Sequence, residues 1–210
     1  MVARSGLMLV LLLLIGTLAM AGCGGDGTIS TAAVTPAESE TIPNLNGIDE
    51  LKTRFNADGG IRLILVLSPN CKTCLDGIRY VQGTILEKIP DAPVHVYAIW
   101  TPANLNDKPS DVDTSILTDS RVSHFWDVEG GVGKWFAEHP QYVREKIEGP
   151  IAYNFYSLHA PEAQWDDAPA PLASFGGGAT NGTIMRFRGE IKGDLNRMLS
   201  GKPLRFIAQK

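Results

Sequence analysis

The chain has 210 residues, of which 44% are hydrophobic and 20% charged, and its formal net charge is −4. This length and apolar content are sufficient for one domain with its own buried core. Acidic and basic residues are interspersed, and no basic patch with interleaved aromatic residues occurs, which argues against nucleic acid as a partner.

Residues 1–22 are predicted to be an export signal and not part of the fold. Arg4 supplies a positive charge ahead of an apolar run over residues 7–15, and small residues follow this run. An apolar run of this length is typical of a secretory signal and is short for a membrane span.

Cys23 is a candidate site of lipidation. Ala21 and Gly22 directly before it resemble the end of a bacterial lipobox. The resemblance implies cleavage before Cys23 and attachment of lipid to its thiol, which anchors an extracytoplasmic domain to the bacterial cell membrane or outer membrane. The chain has three cysteines, an odd number for an exported protein, and lipidation of Cys23 leaves the pair Cys71 and Cys74. The alternatives are an ordinary secretory signal followed by a chance cysteine, and a retained membrane helix.

A tether and then one domain are predicted after the signal. Residues 23–47 are predicted to be flexible, because they are mostly small and polar and show no apolar periodicity. The domain is predicted to span residues 48–210. Its first helix is indicated by Ile48, Leu51 and Phe55, which are spaced for one helix face.

A pair of cysteines lies between a predicted strand and a predicted helix. The apolar run 61–67 predicts a buried strand, with Arg62 at its edge or start, and Cys71–Cys74 opens a segment of helical spacing that extends to about Lys88. A thiol at a helix N-terminus is stabilised as the thiolate. Residues 94–100 predict a second strand, and the strand–helix–strand order implies a parallel βαβ unit.

The second half of the chain is predicted to contain further strands and helices. In chain order we expect a loop over 101–113, a short strand over 121–127, a helix from Val132 to about Ile147, an aromatic strand over 151–158, a return strand starting at 163–165, a loop over 166–181 and a helix ending near Gly201.

This order of elements resembles the thioredoxin-like fold. The resemblance is closest to exported, membrane-tethered thiol–disulfide proteins and their peroxiredoxin-like relatives, which carry an extra strand and helix before a cis-proline. The stretches Trp126–Gly130 and Glu148–Pro150 match their D-x-x-G and G-x-P pattern, and the similarity covers roughly residues 48–200. It implies an α/β fold with a central mixed β-sheet and helices on both faces.

The resemblance also implies roles for three residues. Cys71 matches the solvent-facing nucleophilic cysteine, Cys74 the buried resolving cysteine, and Pro150 the proline that is cis in the family and packs beside the disulfide. Three features depart from the family pattern: Leu65 stands in place of a buried acid, Asn70 in place of an aromatic residue, and Lys72–Thr73 in place of Gly-Pro between the cysteines.

The sequence therefore predicts a thiol–disulfide oxidoreductase that needs no cofactor. Its expected partners are protein thiols or disulfides and a redox partner protein. Lys72 is expected to favour the Cys71 thiolate through its positive charge. His124 and Asp127 could transfer protons, although strand packing and helix capping are the ordinary roles for such residues. Three alternatives stay open: a purely structural disulfide, a Cu(I) or other soft-metal carrier with thiolate ligands, and a thioredoxin-like binding module without catalysis.

Overall fold

Six strands and five α-helices make up the part of the chain that the computed structural model describes, namely residues 42–139, 147, 149–166, 172–176 and 183–202. The strands are β1 (Asn44–Leu45), β2 (Ile61–Leu67), β3 (Val94–Trp100), β4 (Val122–Asp127), β5 (Phe155–His159) and β6 (Leu172–Gly176). The helices are α1 (Ile48–Ala57), α2 (Lys72–Tyr80), α3 (Gly131–Glu138), α4 (Thr183–Arg186) and α5 (Arg188–Leu199). A π-helical segment (Val81–Ile85) and a 3-10 turn (Leu86–Lys88) extend α2.

β2 lies inside the sheet, as its unbroken apolar sequence predicts. All seven of its residues are buried. It pairs in parallel with β3 and antiparallel with β5, within the strand order β1-β4-β3-β2-β5-β6. A strand that is covered on both faces needs apolar residues at successive positions. The parallel pairing of β2 and β3 on either side of α2 confirms the predicted βαβ unit.

The side chains of β2 alternate between two cores. Leu63, Leu65 and Leu67 pack on the face that also buries apolar residues of α2, α4 and α5. Ile64 and Val66 lie on the opposite face, with buried residues of α1 and α3. Because successive strand residues point to opposite faces, one apolar run supplies both cores. The α/β fold with a central mixed sheet and helices on both faces is therefore confirmed.

The sheet begins before the predicted domain boundary. β1 pairs in parallel with β4, and Leu45 is fully buried. The backbone N–H of Trp126 in β4 also donates to the carbonyl oxygen of Pro43. Residues 44–45 thus belong to the sheet, although residues up to 47 were expected in the tether. The two-residue strand is too short to produce a recognisable apolar pattern.

β5 starts later than predicted because the residues before it are bonded to α3. The backbone N–H of Ala152 donates to the carbonyl oxygen of Gly133 at 2.9 Å. Asn154 then adopts a left-handed conformation with φ of 55°, which interrupts the extended chain directly before Phe155. α3 itself ends at Glu138, and most of its predicted continuation lies outside the described residues.

The return strand of the hairpin also lies later than predicted. β6 pairs antiparallel with β5, whereas residues 163–165 form no strand. The backbone N–H and carbonyl oxygen of Trp165 are both bonded to the side-chain amide of Asn56 in α1, each at 2.8 Å. The prediction of a strand at 163–165 is wrong because these backbone groups bond to α1 and not to β5.

Arg62 is fully buried, contrary to the expectation that it lies at a strand edge. Its guanidinium donates hydrogen bonds to the carbonyl oxygens of Ala160, Pro161 and Ala163, and it lies 4.3 Å from the ring centroid of Phe55. Burial lowers the pKa of Arg62. The carbonyl acceptors replace water around the charge, and the side chain thereby holds the turn after β5.

Candidate active site

Cys71 and Cys74 form a disulfide at the N-terminal end of α2. Their Cα atoms are 5.2 Å apart, within the usual range for a disulfide. Cys71 is the N-cap residue of α2, and its Sγ accepts the backbone N–H of Cys74 at 3.1 Å. The first backbone N–H groups of a helix have no partner within the helix, so this position supplies donors to a sulfur atom that becomes negative.

The two sulfurs differ in their access to solvent. Cys74 is fully buried in the core that also contains Leu65 and Ile78, whereas Cys71 is only partly buried at the edge of that core. A reagent from solution therefore reaches Cys71 first. The side chain of Leu65 is fully buried, so this position offers no acid or base to the buried thiol.

A buried carboxylate that the sequence analysis missed holds the residues before Cys71. Asp107, in the loop after β3, accepts hydrogen bonds from Ser68 Oγ at 2.9 Å and Asn70 Nδ2 at 2.7 Å. It also accepts the backbone N–H of Asn104 at 3.0 Å. Asn70 is thus a donor that anchors the turn. No local signal distinguishes Asp107 from the other polar residues of its loop.

The hydrogen bonds to Asp107 determine its charge. Burial raises the pKa of a carboxyl group, but here the donors Asn70, Asn104 and Ser68 outweigh burial, and the pKa of Asp107 is lowered from its ordinary value of 3.8. The carboxylate is therefore ionised at neutral pH and acts only as an acceptor. It links the loop after β3 to the stretch that carries the first cysteine.

Lys72 is engaged with a carboxylate of its own helix. Its Nζ lies 2.7 Å from Asp76 Oδ2, and its side chain is 86% exposed. Arg79 also contacts Asp76, with 3.2 Å between Nη1 and Oδ1. An exposed and paired ammonium group acts weakly on a neighbouring charge, because water and the carboxylate both offset it. The expected influence of Lys72 on Cys71 is therefore weak in this arrangement.

Thr73 and Asn154 form a second polar contact at the disulfide, which the sequence analysis also missed. Thr73 Oγ1 lies 3.4 Å from Cys71 Sγ. Asn154 Nδ2 donates to Thr73 Oγ1 at 3.0 Å from the segment before β5. Asn154 is fully buried, and Thr73 is exposed. A polar residue within the predicted strand 151–158 offered no signal for this contact, because the two residues are 81 positions apart.

The structure contradicts the expectation that Pro150 is a cis-proline. The Gly149–Pro150 bond is trans, as are all other peptide bonds of the described residues, and Pro150 is exposed. Asn154, four positions later, contacts the CxxC turn. The trans isomer is the ordinary one for a bond before proline, and the G-x-P pattern did not override that preference.

His124 and Asp127 have structural partners. His124 Nδ1 accepts the indole N–H of Trp100 at 3.1 Å, and its Nε2 donates to the carbonyl oxygen of Leu117 at 2.9 Å. The carboxylate of Asp127 accepts the backbone N–H of Val132 in the first turn of α3 at 3.0 Å. Burial lowers the pKa of His124 and raises the pKa of Asp127. The two residues thus pack the sheet and cap α3.

The described residues contain neither a candidate metal cluster nor a membrane-spanning helix. No group of three or more His, Cys, Asp or Glu side chains in these residues is arranged to hold a metal ion. Within the same part of the chain, no helix combines the length and apolar character needed to cross a membrane. The predicted signal, Cys23 and most of the tether lie outside the described residues.

Comparisons with known proteins yield two structural similarities. No protein-family model and no curated protein matches the chain. A thioredoxin-like protein in its oxidised form, solved in solution, is 17% identical with a TM-score of 0.46, over 78% of this chain and 97% of that one. A secreted Mycobacterium tuberculosis disulfide oxidoreductase homologous to E. coli DsbE is 14% identical with a TM-score of 0.38, over 66% of this chain and 82% of that one. These values are too low to support a function, and the α/β fold follows from the sheet order and the two cores.

Proposed function

We propose that the chain is an extracytoplasmic thiol–disulfide oxidoreductase, anchored to a bacterial membrane through lipid on Cys23. The observation that carries this proposal is the disulfide at the start of α2 between Cys71, which is partly exposed, and Cys74, which is buried. Asymmetric access is what a two-step exchange requires, because the outer sulfur meets the substrate and the inner sulfur resolves the intermediate. The hydrogen bond from the Cys74 N–H further supports a thiolate at Cys71.

In the reducing direction, the Cys71 thiolate attacks one sulfur of a substrate disulfide. A mixed disulfide forms, the substrate S–S bond breaks, and the other substrate sulfur leaves as a thiolate. The Cys74 thiolate then attacks Cys71 Sγ, which closes the internal disulfide and releases the second substrate thiolate. The protein loses two electrons to the substrate, and two protons balance the two product thiols.

In the oxidising direction, the same bonds form and break in reverse order. A substrate thiolate attacks Cys71 Sγ in the disulfide form and displaces Cys74. A second substrate thiolate then displaces Cys71 and leaves the protein with two thiols and two additional electrons. Either direction requires protein thiols or disulfides as substrates and a redox partner that restores the starting state, and neither requires a cofactor.

The proposed location rests on the first residues of the chain. A positive residue, an apolar run over 7–15 and small residues before Cys23 support export and lipidation. Export supports the redox assignment, because disulfides persist outside the cytoplasm. Lipidation of Cys23 also leaves Cys71 and Cys74 as the two cysteines available for exchange.

Trapping of substrates tests the catalytic proposal. The full chain is expressed in an exporting bacterium as Cys74→Ser and, as the matched control, Cys71→Ser. We expect Cys74→Ser to accumulate adducts on non-reducing gels that disappear with dithiothreitol, because the resolving thiol is missing. Cys71→Ser should form none. Cys23→Ser should lose the lipid mass and leave the membrane fraction.

Two other outcomes would replace the proposal. If neither variant forms adducts and the reduced wild type binds Cu(I) stoichiometrically, the chain is a soft-metal carrier. If neither variant forms adducts and the wild type does not bind Cu(I), the chain is a binding module without catalysis or Cys71 and Cys74 form a purely structural disulfide.

A further inference from the structure

The contact between Cys71, Thr73 and Asn154 has a defined hydrogen-bond direction. A disulfide sulfur carries no hydrogen, so the Thr73 hydroxyl is the donor to Cys71 Sγ across 3.4 Å. The same hydroxyl oxygen accepts a hydrogen from Asn154 Nδ2 at 3.0 Å. A hydroxyl has one hydrogen to donate and lone pairs to accept, so both bonds form together. The amide thereby aims the Thr73 hydrogen at the sulfur.

We infer that Asn154 and Thr73 form a positioning relay that stabilises the Cys71 thiolate. When the disulfide is reduced, Cys71 Sγ receives the hydroxyl of Thr73 in addition to the Cys74 N–H. A hydrogen bond to an ionised acceptor is about twice as strong as one between neutral groups. The inference rests on the proposed function, in which Cys71 is the nucleophile, and it names the groups that set its reactivity.

The burial and backbone conformation of Asn154 are unfavourable for the stability of the fold. It is fully buried, its φ of 55° lies in the left-handed region, and no described residue donates to its Oδ1. A buried acceptor without a donor destabilises the fold. Costs of this kind concentrate at functional sites, where the conformation serves the chemistry. Among the described residues, the hydrogen-bond partner of this side chain is Thr73.

Among the described residues, none of the charged or titratable groups on the elements packed against the turn is bonded to Cys71 Sγ. They are Lys72, Asp76 and Arg79 on α2, Asp107 in the loop after β3, Tyr153 before β5 and Arg186 on α4. Lys72 and Arg79 are paired with Asp76, and Asp107 is bonded to Asn70. Arg186 lies over the ring of Phe187 with 5.5 Å to its centroid.

The pH dependence of Cys71 alkylation tests the relay. The reduced full-length chain is treated with iodoacetamide from pH 4 to pH 10, and modification of Cys71 is quantified by peptide mass spectrometry. We expect Thr73→Val to move the profile to higher pH, so that alkylation on its acidic limb falls about tenfold. Thr73→Ser keeps the hydroxyl and should restore the wild-type profile. Because Thr73 is exposed, valine is compatible with the fold.

Asn154→Gly isolates the amide, because glycine accepts the left-handed conformation. Alone it should shift the profile in the same direction, by less than Thr73→Val. In the Thr73→Val background it should cause no further shift, since the amide acts through the hydroxyl. Lys72→Gln should shift the profile less than Thr73→Val.

Two results would overturn the relay: coincident profiles for Thr73→Val and wild type, or an undiminished effect of Asn154→Gly in the Thr73→Val background. Substrate trapping by Cys74→Ser separates this inference from the proposed function. Adducts with unchanged profiles overturn the relay alone, whereas shifted profiles without adducts overturn the oxidoreductase and leave the relay in place.

Discussion

Replacing Asp107 by alanine tests whether the loop after β3 supports the CxxC turn. The carboxylate accepts four hydrogen bonds: from Ser68 Oγ at 2.9 Å, from Asn70 Nδ2 at 2.7 Å, and from the backbone and side-chain nitrogens of Asn104 at 3.0 and 3.2 Å. Asp107→Ala removes all four. Asn70 and Asn104 are exposed and regain water, but Ser68 is fully buried and depends on protein acceptors.

We expect Asp107→Ala to lower the free energy of unfolding by about 2–4 kcal/mol. Hydrogen bonds to a charged group contribute about 1.5–3 kcal/mol each when fully desolvated, and only the bond from Ser68 meets that condition. The hydrogen bonds from Asn70 and Asn104 contribute smaller amounts to stability, because water replaces the acceptor that these exposed side chains lose. Asp107→Asn keeps one acceptor oxygen, so its free energy of unfolding should fall by about half as much as that of Asp107→Ala.

Urea unfolding of the oxidised chain at pH 7 measures the difference. Asp91→Ala is the matched control, because it removes the same charge from an exposed residue in the turn before β3. The control should change the free energy of unfolding by less than about 0.5 kcal/mol. Equal stability of Asp107→Ala and Asp91→Ala would refute the anchoring role of this carboxylate.

The comparison of wild type with Asp107→Ala also predicts a pH dependence of stability with a defined sign. The pKa of Asp107 is lower in the folded chain than its ordinary value of 3.8. A depressed carboxyl pKa contributes stability that is complete above the unfolded value and is lost as pH falls through the folded value. The stability gap between wild type and Asp107→Ala should therefore shrink below pH 3.8. A gap that is unchanged in acid would contradict the charge-assisted bonds.

Two further predictions concern helix packing and capping. A Cβ atom at Gly77 would lie 2.8 Å from Cβ of Ile184, so Gly77→Ala should destabilise the fold by about 1–3 kcal/mol in thermal unfolding. A Cβ atom at Gly83 would lie 4.0 Å from Glu87 Oε2, an ordinary contact, so Gly83→Ala should be neutral or stabilising. Equal effects of the two variants would contradict the close contact of α2 and α4. Asp127→Ala should lower the free energy of unfolding by about 0.5–2 kcal/mol, because the side chain that caps α3 is lost. Asp127→Asn should lower it by less, because asparagine retains an acceptor and carries no buried charge. An equal loss for asparagine and alanine would show that a neutral acceptor is not sufficient and that the charge itself is required.

Local patterns were sufficient for the central part of the fold. Residues 61–67 are apolar at nearly every position, and only a strand covered on both faces suits such a run. The helical spacing after Cys74 and the β-forming residues 94–100 then determine a parallel βαβ unit. These predictions are confirmed. Each of them relied only on residues that lie close together in the sequence. The return strand was misplaced because the side chains of Asn56 and Arg62, far away in sequence, bind its predicted position.

By itself, the sequence determined the buried strand, the helix that follows it, and the two thiols at their junction, because strand and helix periodicity are local properties. Only the tertiary structure decided which groups surround those thiols. Asp107 reaches Asn70 across 37 positions, and Asn154 reaches Thr73 across 81. Contacts of this range depend on how strands are ordered in the sheet and how loops return to it. A family pattern predicted Pro150 beside the disulfide, whereas the packing of the chain before β5 brought Asn154 there.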